Sequence, residues 1–334
     1  MTVTFKSAKR EGVPLLIGLG GASGSGKTLS ALMLAKGIAD EMGQSQGRDG
    51  IVAFIDTERG RGLHYADDFK FLHGEINPPF RPTGYGDALK AAEATGAHVV
   101  VIDSFSHEWE GEGGVREWAD ELEAGGMKPP AQWKEPKLAH KRLVNQMLAA
   151  KPHIIVCMRA EEKMRIEQVP QFNNDGSPKM WNGKPSTKMV ITPATELDVK
   201  ERWVPICEKR FPYEITTSLL LTPQDPGVPI PLKLQRQHRP FFPEGQQITE
   251  EAGRSLARWS LGAPSQASTP PAEERWTLED AELSLSLAKS LPELETAWKQ
   301  KKMAPYRDQL QPMLGDRKRA LTPQPQTAGD YDGA

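Results

Sequence analysis

The sequence predicts an α/β fold, with a mostly parallel twisted sheet flanked by helices and a small helical domain after it. Short apolar runs alternate with helical patterns over the first two-thirds of the 334 residues, the pattern of strands joined by crossover helices. A glycine-rich turn links the first apolar run directly to the first amphipathic stretch, as a strand–turn–helix unit requires. A Pro/Ser/Ala-rich stretch then separates this region from a short helix-patterned one.

In chain order, residues 15–19 are predicted as a strand and 28–41 as a helix with Leu29, Leu32, Ala35 and Ile38 on or near one face. Residues 51–56 are the second strand, 86–95 a helix and 98–103 the third strand. A helix follows over 137–150, with Leu143, Met147 and Leu148 apolar, and a fourth strand over 153–158. Residues 166–169 and 188–192 flank a polar, Gly/Pro-containing stretch and read as a long hairpin or loop. Residues 213–221 and 228–234 read as late antiparallel strands, and 249–259 as a helix at the edge of the core. The domain boundaries follow: 1–245 main domain, 246–261 edge helix, 262–273 linker, 274–321 helical domain, 322–334 disordered tail. In the helical domain Thr277 with Asp280 marks a helix start, Leu291-Pro292 a break, and Leu294, Trp298, Leu310 and Leu314 a small core.

A formal net charge of −2 gives the chain no overall attraction to nucleic acid or membrane, so any such contact must be a local patch. The two cysteines, Cys157 and Cys207, do not have zinc spacing and read as reduced core thiols. Apolar runs stay far short of the roughly 20 residues of a membrane span. The polar first eleven residues carry no signal-peptide core. No membrane partner and a cytoplasmic location are the expectations.

Gly21-Ala22-Ser23-Gly24-Ser25-Gly26-Lys27-Thr28 fits G-x-x-x-x-G-K-[ST]. Glycines let successive backbone N–H groups curl around phosphate oxygens. The following helix start adds its positive dipole end. Lys27 supplies a cation for β- and γ-phosphates, and Thr28 a hydroxyl for Mg²⁺. The motif therefore predicts a P-loop that binds ATP with Mg²⁺ and an ATPase activity. Asp103 closes the apolar strand His98-Val99-Val100-Val101-Ile102. A carboxylate there is placed to hold the metal; the bland alternative is a strand-end cap. Hydrolysis also needs a group that orients water. Glu58, after the second strand, and Glu108, five residues past Asp103, compete, and spacing does not decide between them.

Ala53-Phe54-Ile55-Asp56-Thr57-Glu58 resembles the second core strand of the RecA family, and the order of motifs along the chain matches. Further strings are similar to phage-encoded RecA-like ATPases, including Sak-type single-strand annealing recombinases. They are Gly60-Arg61-Gly62, Ile102 through Gly111, Met158 through Lys163, and Cys207 through Glu214. The resemblance spans about residues 13–235. It implies that Glu58 activates water; the alternative is an exposed turn glutamate, and Asp56 reads as structural or metal-supporting. It implies a γ-phosphate sensor at the end of the fourth strand, where Arg159 departs from the family's Gln or Asn; the alternative is a salt bridge to Glu161 or Glu162. It implies loops facing DNA over residues 110–133 and 159–200. The first is acidic. The second carries Lys163, Arg165, Lys179, Lys184 and Lys188 with Phe172 and Trp181, basic residues for phosphates and rings for stacking. It also implies a homo-oligomer, ring or filament, in which Lys209 and Arg210 complete a neighbour's site; the alternative is surface charge. His107 is the only histidine near the presumed site, and Trp109 and Trp118 read as packing residues. The expected function is coupling of ATP state to single-stranded DNA binding in recombination or annealing. Rivals are a helicase-like or loader ATPase, and an ATP-binding regulator acting on a protein partner through the C-terminal helices.

Overall fold

The computed structural model describes residues 5, 7–10, 12–173, 175–263, 277–299 and 301–322. Most of the expected linker and all of the expected tail but Thr322 lie outside the described residues. The chain divides into two compact units, 1–265 and 266–334.

The first unit runs β1 (Leu16–Gly21), α1 (Lys27–Ser45), β2 (Val52–Asp56), β3 (Leu72–Glu75), α2 (Pro82–Ala94), β4 (Val99–Asp103), α3 (Ser106–Glu110), α4 (Val115–Ala124), α5 (Lys134–Ala149) and β5 (His153–Glu162). It continues β6 (Arg165–Pro170), β7 (Met180–Trp181), β8 (Lys184–Pro185), β9 (Thr187–Thr192), α6 (Val199–Arg202), β10 (Trp203–Pro205), α7 (Phe211–Glu214), β11 (Thr217–Leu221), β12 (Ile230–Lys233) and α8 (Glu250–Ser260). The main sheet has the order β12-β11-β1-β5-β4-β2-β3. Every pair from β11 to β3 is parallel; only β12 on β11 and β10 on β5 run antiparallel. This is an α/β fold with a mostly parallel sheet flanked by helices.

The central strands are buried on both faces, hence their continuous apolar runs. Their side chains alternate between two cores. Val99, Val101, Ile155 and Cys157 pack with α1 and α8. Val100, Ile102, Ile154 and Val156 pack with α2 and α5. On the first face α1 lies so close to α8 that a Cβ at Gly37 or Gly253 would run into the other helix's main-chain carbonyl, of Glu250 or Leu34 respectively.

Several expectations need correction. β3 is an extra strand: its Leu-His-Gly-Glu sequence is largely exposed and holds no apolar run, so pattern alone does not reveal an edge strand paired on one side. The late strand β11 is parallel to β1, and residues 211–214 before it form α7. A strand buried on both faces reads the same in either direction. The predicted loop over 110–133 contains the end of α3 and all of α4. Leu29 and Leu148 are exposed, while Ala31, Leu34, Ala35 and Ile38 on α1 and Leu143, Val144 and Met147 on α5 take the buried face. Leu29 lies more than about 100° around its helix from that stripe, and Leu148 lies at the margin of its own, one turn past Val144.

The second unit contains α9 (Leu278–Ser286), α10 (Leu291–Lys299) and α11 (Arg307–Leu321). Thr277 and Asp280 form a reciprocal capping box at α9. Leu285, Leu294, Leu310 and Leu314 fill the core, with Trp298 packed against it. Among the described residues no helix is long and apolar enough to cross a membrane.

Candidate active site

The parallel register brings the singled-out residues to one sheet edge. Asp56 on β2 pairs with Asp103 on β4, Asp103 with Cys157 on β5, and Gly21 on β1 with Arg159 on β5. Gly21, Asp56 and Asp103 close their strands, and Cys157 and Arg159 lie level with them on β5, which runs on to Glu162; open α/β sheets bind ligands on this carboxyl side.

Between β1 and α1 the glycine loop turns sharply. Gly24 and Gly26 adopt φ of 77° and 82°, a region costly for any residue with a Cβ. At Gly24 a side chain would meet nothing within 4 Å, so it is conformation rather than room that selects glycine there. The loop is tied by Ser25 Oγ and Lys27 Nζ, which both donate to the Ala22 carbonyl at 2.8 Å. The Gly227 N–H donates to the Ser25 carbonyl at 3.0 Å. Burial pulls the Lys27 ammonium below the usual lysine range, opposed by the nearby Cys157, Asp103 and Glu58.

The Thr28 hydroxyl donates to Asp103 Oδ2 at 2.6 Å. Burial drives the Asp103 carboxyl up to about 6, against the Thr28 hydrogen bond and with help from the negative Glu58. A buried carboxylate with one hydroxyl donor is short of positive charge. That shortage and the hydroxyl beside it fit a divalent cation.

Glu58, Lys27, Thr28, Asp103 and Arg159 share a cavity of about 560 Å³. Glu58 is held by guanidinium groups on both oxygens. Oε1 accepts from Arg159 Nη2 at 2.8 Å and Nε at 3.3 Å, and Oε2 accepts from Arg61 Nη1 at 2.9 Å. Burial alone would raise the Glu58 carboxyl; the two arginines outweigh it and hold it below the usual glutamate range. Asp56 does not line this cavity. Its carboxylate accepts from the Glu58 and Gly62 N–H groups at 2.6 and 2.8 Å, with His73 Nε2 at 3.2 Å. Its task is to shape the turn that presents Glu58 and Arg61.

Glu108 points elsewhere. It is fully buried, with both oxygens 3.0–3.1 Å from His140 Nδ1 on α5. Its burial raises its carboxyl above the usual range. Arg159 pairs with Glu58 rather than with Glu161 or Glu162, which take Lys163 and Arg202. Lys209 and Arg210 are exposed and lie outside the 560 Å³ cavity.

The β6–β9 ribbon, with β7–β8 at its tip, carries the other basic residues. Lys163 is paired with Glu161, and Arg165 with Glu167 and Glu201. Lys179, Lys184 and Lys188 are exposed, and Trp181 is 74% exposed. Two of the five basic side chains are therefore already neutralised.

Sequence reasoning assigned no role to Arg61, although it lies in the Gly60-Arg61-Gly62 string. It also missed Ser106, whose hydroxyl accepts from the Arg159 N–H at 2.8 Å and donates to the Ile206 carbonyl at 2.7 Å. His107 engages the Thr57 hydroxyl at 2.7 Å through Nδ1. Cys157 and Cys207 are free thiols, Cys157 fully buried and Cys207 partly, and burial pushes Cys207 up to about 12. No protein-family model matches the chain, and no curated protein matches it.

Proposed function

We propose that this chain is a Mg²⁺-dependent ATPase of the RecA-like P-loop kind, which couples nucleotide state to single-stranded DNA binding in recombination or annealing. The observation that carries the reading is the Thr28–Asp103 hydrogen bond at the mouth of the glycine loop. It puts a metal-type hydroxyl, an undercompensated carboxylate and the Lys27 ammonium into one cavity with Glu58.

In this reading the backbone N–H groups over residues 21–28 and the Lys27 ammonium bind the phosphates. Thr28 and Asp103 would hold Mg²⁺, which when bound neutralises β- and γ-phosphate charge. Glu58 orients the attacking water and accepts its proton. Arg159 and Arg61, on the same cavity wall, are cations within the site. The ribbon leaves β5 three residues past Arg159, which supports a path from nucleotide to the Lys179, Lys184, Lys188 and Trp181 surface. Lys209 and Arg210 act on a neighbouring copy in a homo-oligomer.

The test is ATP hydrolysis of the purified chain with Mg²⁺, with and without single-stranded DNA, beside Lys27→Ala. Turnover that needs Lys27 and responds to DNA supports the reading. Turnover unaffected by Lys27→Ala removes the glycine loop from it, and ATP binding with little turnover and no response to DNA favours the regulator alternative.

A further inference from the structure

Glu58 and its two arginines border two cavities rather than one: the 560 Å³ cavity with the glycine loop and a second cavity of about 350 Å³. Glu58, Arg61 and Arg159 line both. The second cavity adds Arg59, Glu112 and His107. Burial, and then the charge of Arg159, lower the His107 imidazole from its ordinary value, so it is neutral at pH 7. Three guanidinium groups thus face two carboxylates. Arg59 is exposed and has no ion-pair partner among the described residues. A polar concavity with surplus guanidinium charge is suited to an oxyanion, since planar N–H pairs match phosphate oxygens.

We infer that this second cavity is an anion site for a phosphate group, and that its occupant competes with Glu58 for Arg159 and Arg61. In the structure both Glu58 oxygens are taken by guanidinium groups, so the carboxylate has a poor lone pair to offer water. A phosphate in the second cavity gives the arginines another partner and frees Glu58 toward the glycine loop. The step moves no covalent bond; it exchanges one charge-assisted hydrogen-bond set for another. It rests on the reading of Glu58 as the water-orienting group. The phosphate chemistry is shared by free phosphate and by a nucleic-acid phosphodiester.

Lys27→Ala takes the ammonium from the glycine loop and weakens phosphate binding there, so the second cavity is read as the part of the remaining binding that a further Arg59→Ala removes. Calorimetric titration of Lys27→Ala with inorganic phosphate and, separately, dimethyl phosphate distinguishes a free phosphate from a diester source. Adding Arg59→Ala should weaken binding of the preferred probe about tenfold. Arg59 is exposed, and an unchanged melting curve checks that the double variant folds. If Lys27→Ala binds neither probe, or Arg59→Ala leaves the affinity unchanged, the site is overturned. Coupling is read on the chain with Lys27 intact, at saturating ATP. The probe that binds should raise the initial hydrolysis rate, and Arg59→Ala should lose that rise. Binding without a rise overturns the coupling. A chain that hydrolyses no ATP removes the function proposed above together with the coupling, while the titration still decides the site.

Discussion

Asp103 places a carboxylate where only the Thr28 hydroxyl and the nearby Lys27 compensate it. Its folded-state value, about 6, lies above the ordinary value of 3.8. Folded protein therefore holds this proton more tightly than unfolded protein, and the favourable contribution fades as pH rises from about 3.8 to about 6. At pH 7 the group is charged and costs stability. Asp103→Asn should accordingly raise the melting temperature of the nucleotide-free chain at pH 7, by an increment worth about 3 kcal/mol. The same variant should weaken Mg²⁺-dependent ATP binding, and in the parent chain that binding should decline below about pH 6 as Asp103 protonates. A variant that is no more stable and binds equally well would show that the carboxylate is neither strained nor used. Glu58 and Glu108 are separated by a second measurement. Glu58→Gln should keep ATP binding and lose about 10²–10⁴-fold in turnover. Glu108→Gln should leave the glycine-loop cavity intact and act on stability instead, because it disturbs the buried His140 pair. Reversed outcomes in single-turnover assays would exchange their roles.

At the scale of elements, the β6–β9 ribbon makes a two-stranded sheet of its own. Two strands alone are marginal in water. Exposed on it are Ile166, Met180, Trp181, Met189 and Ile191 beside Lys179, Lys184 and Lys188, a mixture suited to stacking and phosphate contact. Replacing the three lysines together by Ala should lower single-stranded DNA affinity and flatten log K against log salt by about 0.7 per lost contact. Trp181→Ala should cost about 1–3 kcal/mol of binding. ATP affinity without DNA should stay at the parent value, since none of these residues lines the glycine-loop cavity. A triple variant with the original salt slope sends the search to the C-terminal basic residues Lys299, Lys301, Lys302, Arg317, Lys318 and Arg319. The α1–α8 crossing is a contrasting element, fixed by backbone contact. Gly253→Ala should force the helices apart and destabilise the first unit, measured as a lower urea midpoint, because the added methyl meets the Leu34 carbonyl and no flexible side chain can yield.

Across the whole molecule the two units have separate cores. The first spans a large sheet with apolar layers on both faces, while the second packs three helices around a few leucines and alanines. A domain of roughly 45 residues is near the lower limit for independent folding. Calorimetry should therefore show two transitions, the smaller at lower temperature. A chain ending at residue 265 should keep the larger transition and its ATP affinity. A single transition lost on truncation would mean that the units fold as one.

What the sequence determines by itself is local. Turn chemistry marks the glycine loop because only glycine tolerates the φ values at Gly24 and Gly26. Apolar runs mark β1, β2, β4 and β5 because those strands are covered on both faces. The Thr277–Asp280 box marks the start of α9. Edge strand β3 and the direction of β11 leave no such trace, since pairing partner and strand sense are long-range choices. The same holds in the site. Glu58 and Glu108 are equivalent in spacing, and only the packing of α3 on α5 turns Glu108 inward to His140 while the Asp56-tied turn carries Glu58 to the glycine loop. Arg159 and Glu58 are 101 residues apart. Their pairing exists because parallel register brings the end of β2 and the Cys157–Arg159 stretch of β5 to one side of the sheet, flanking β4, and register is set by the tertiary fold.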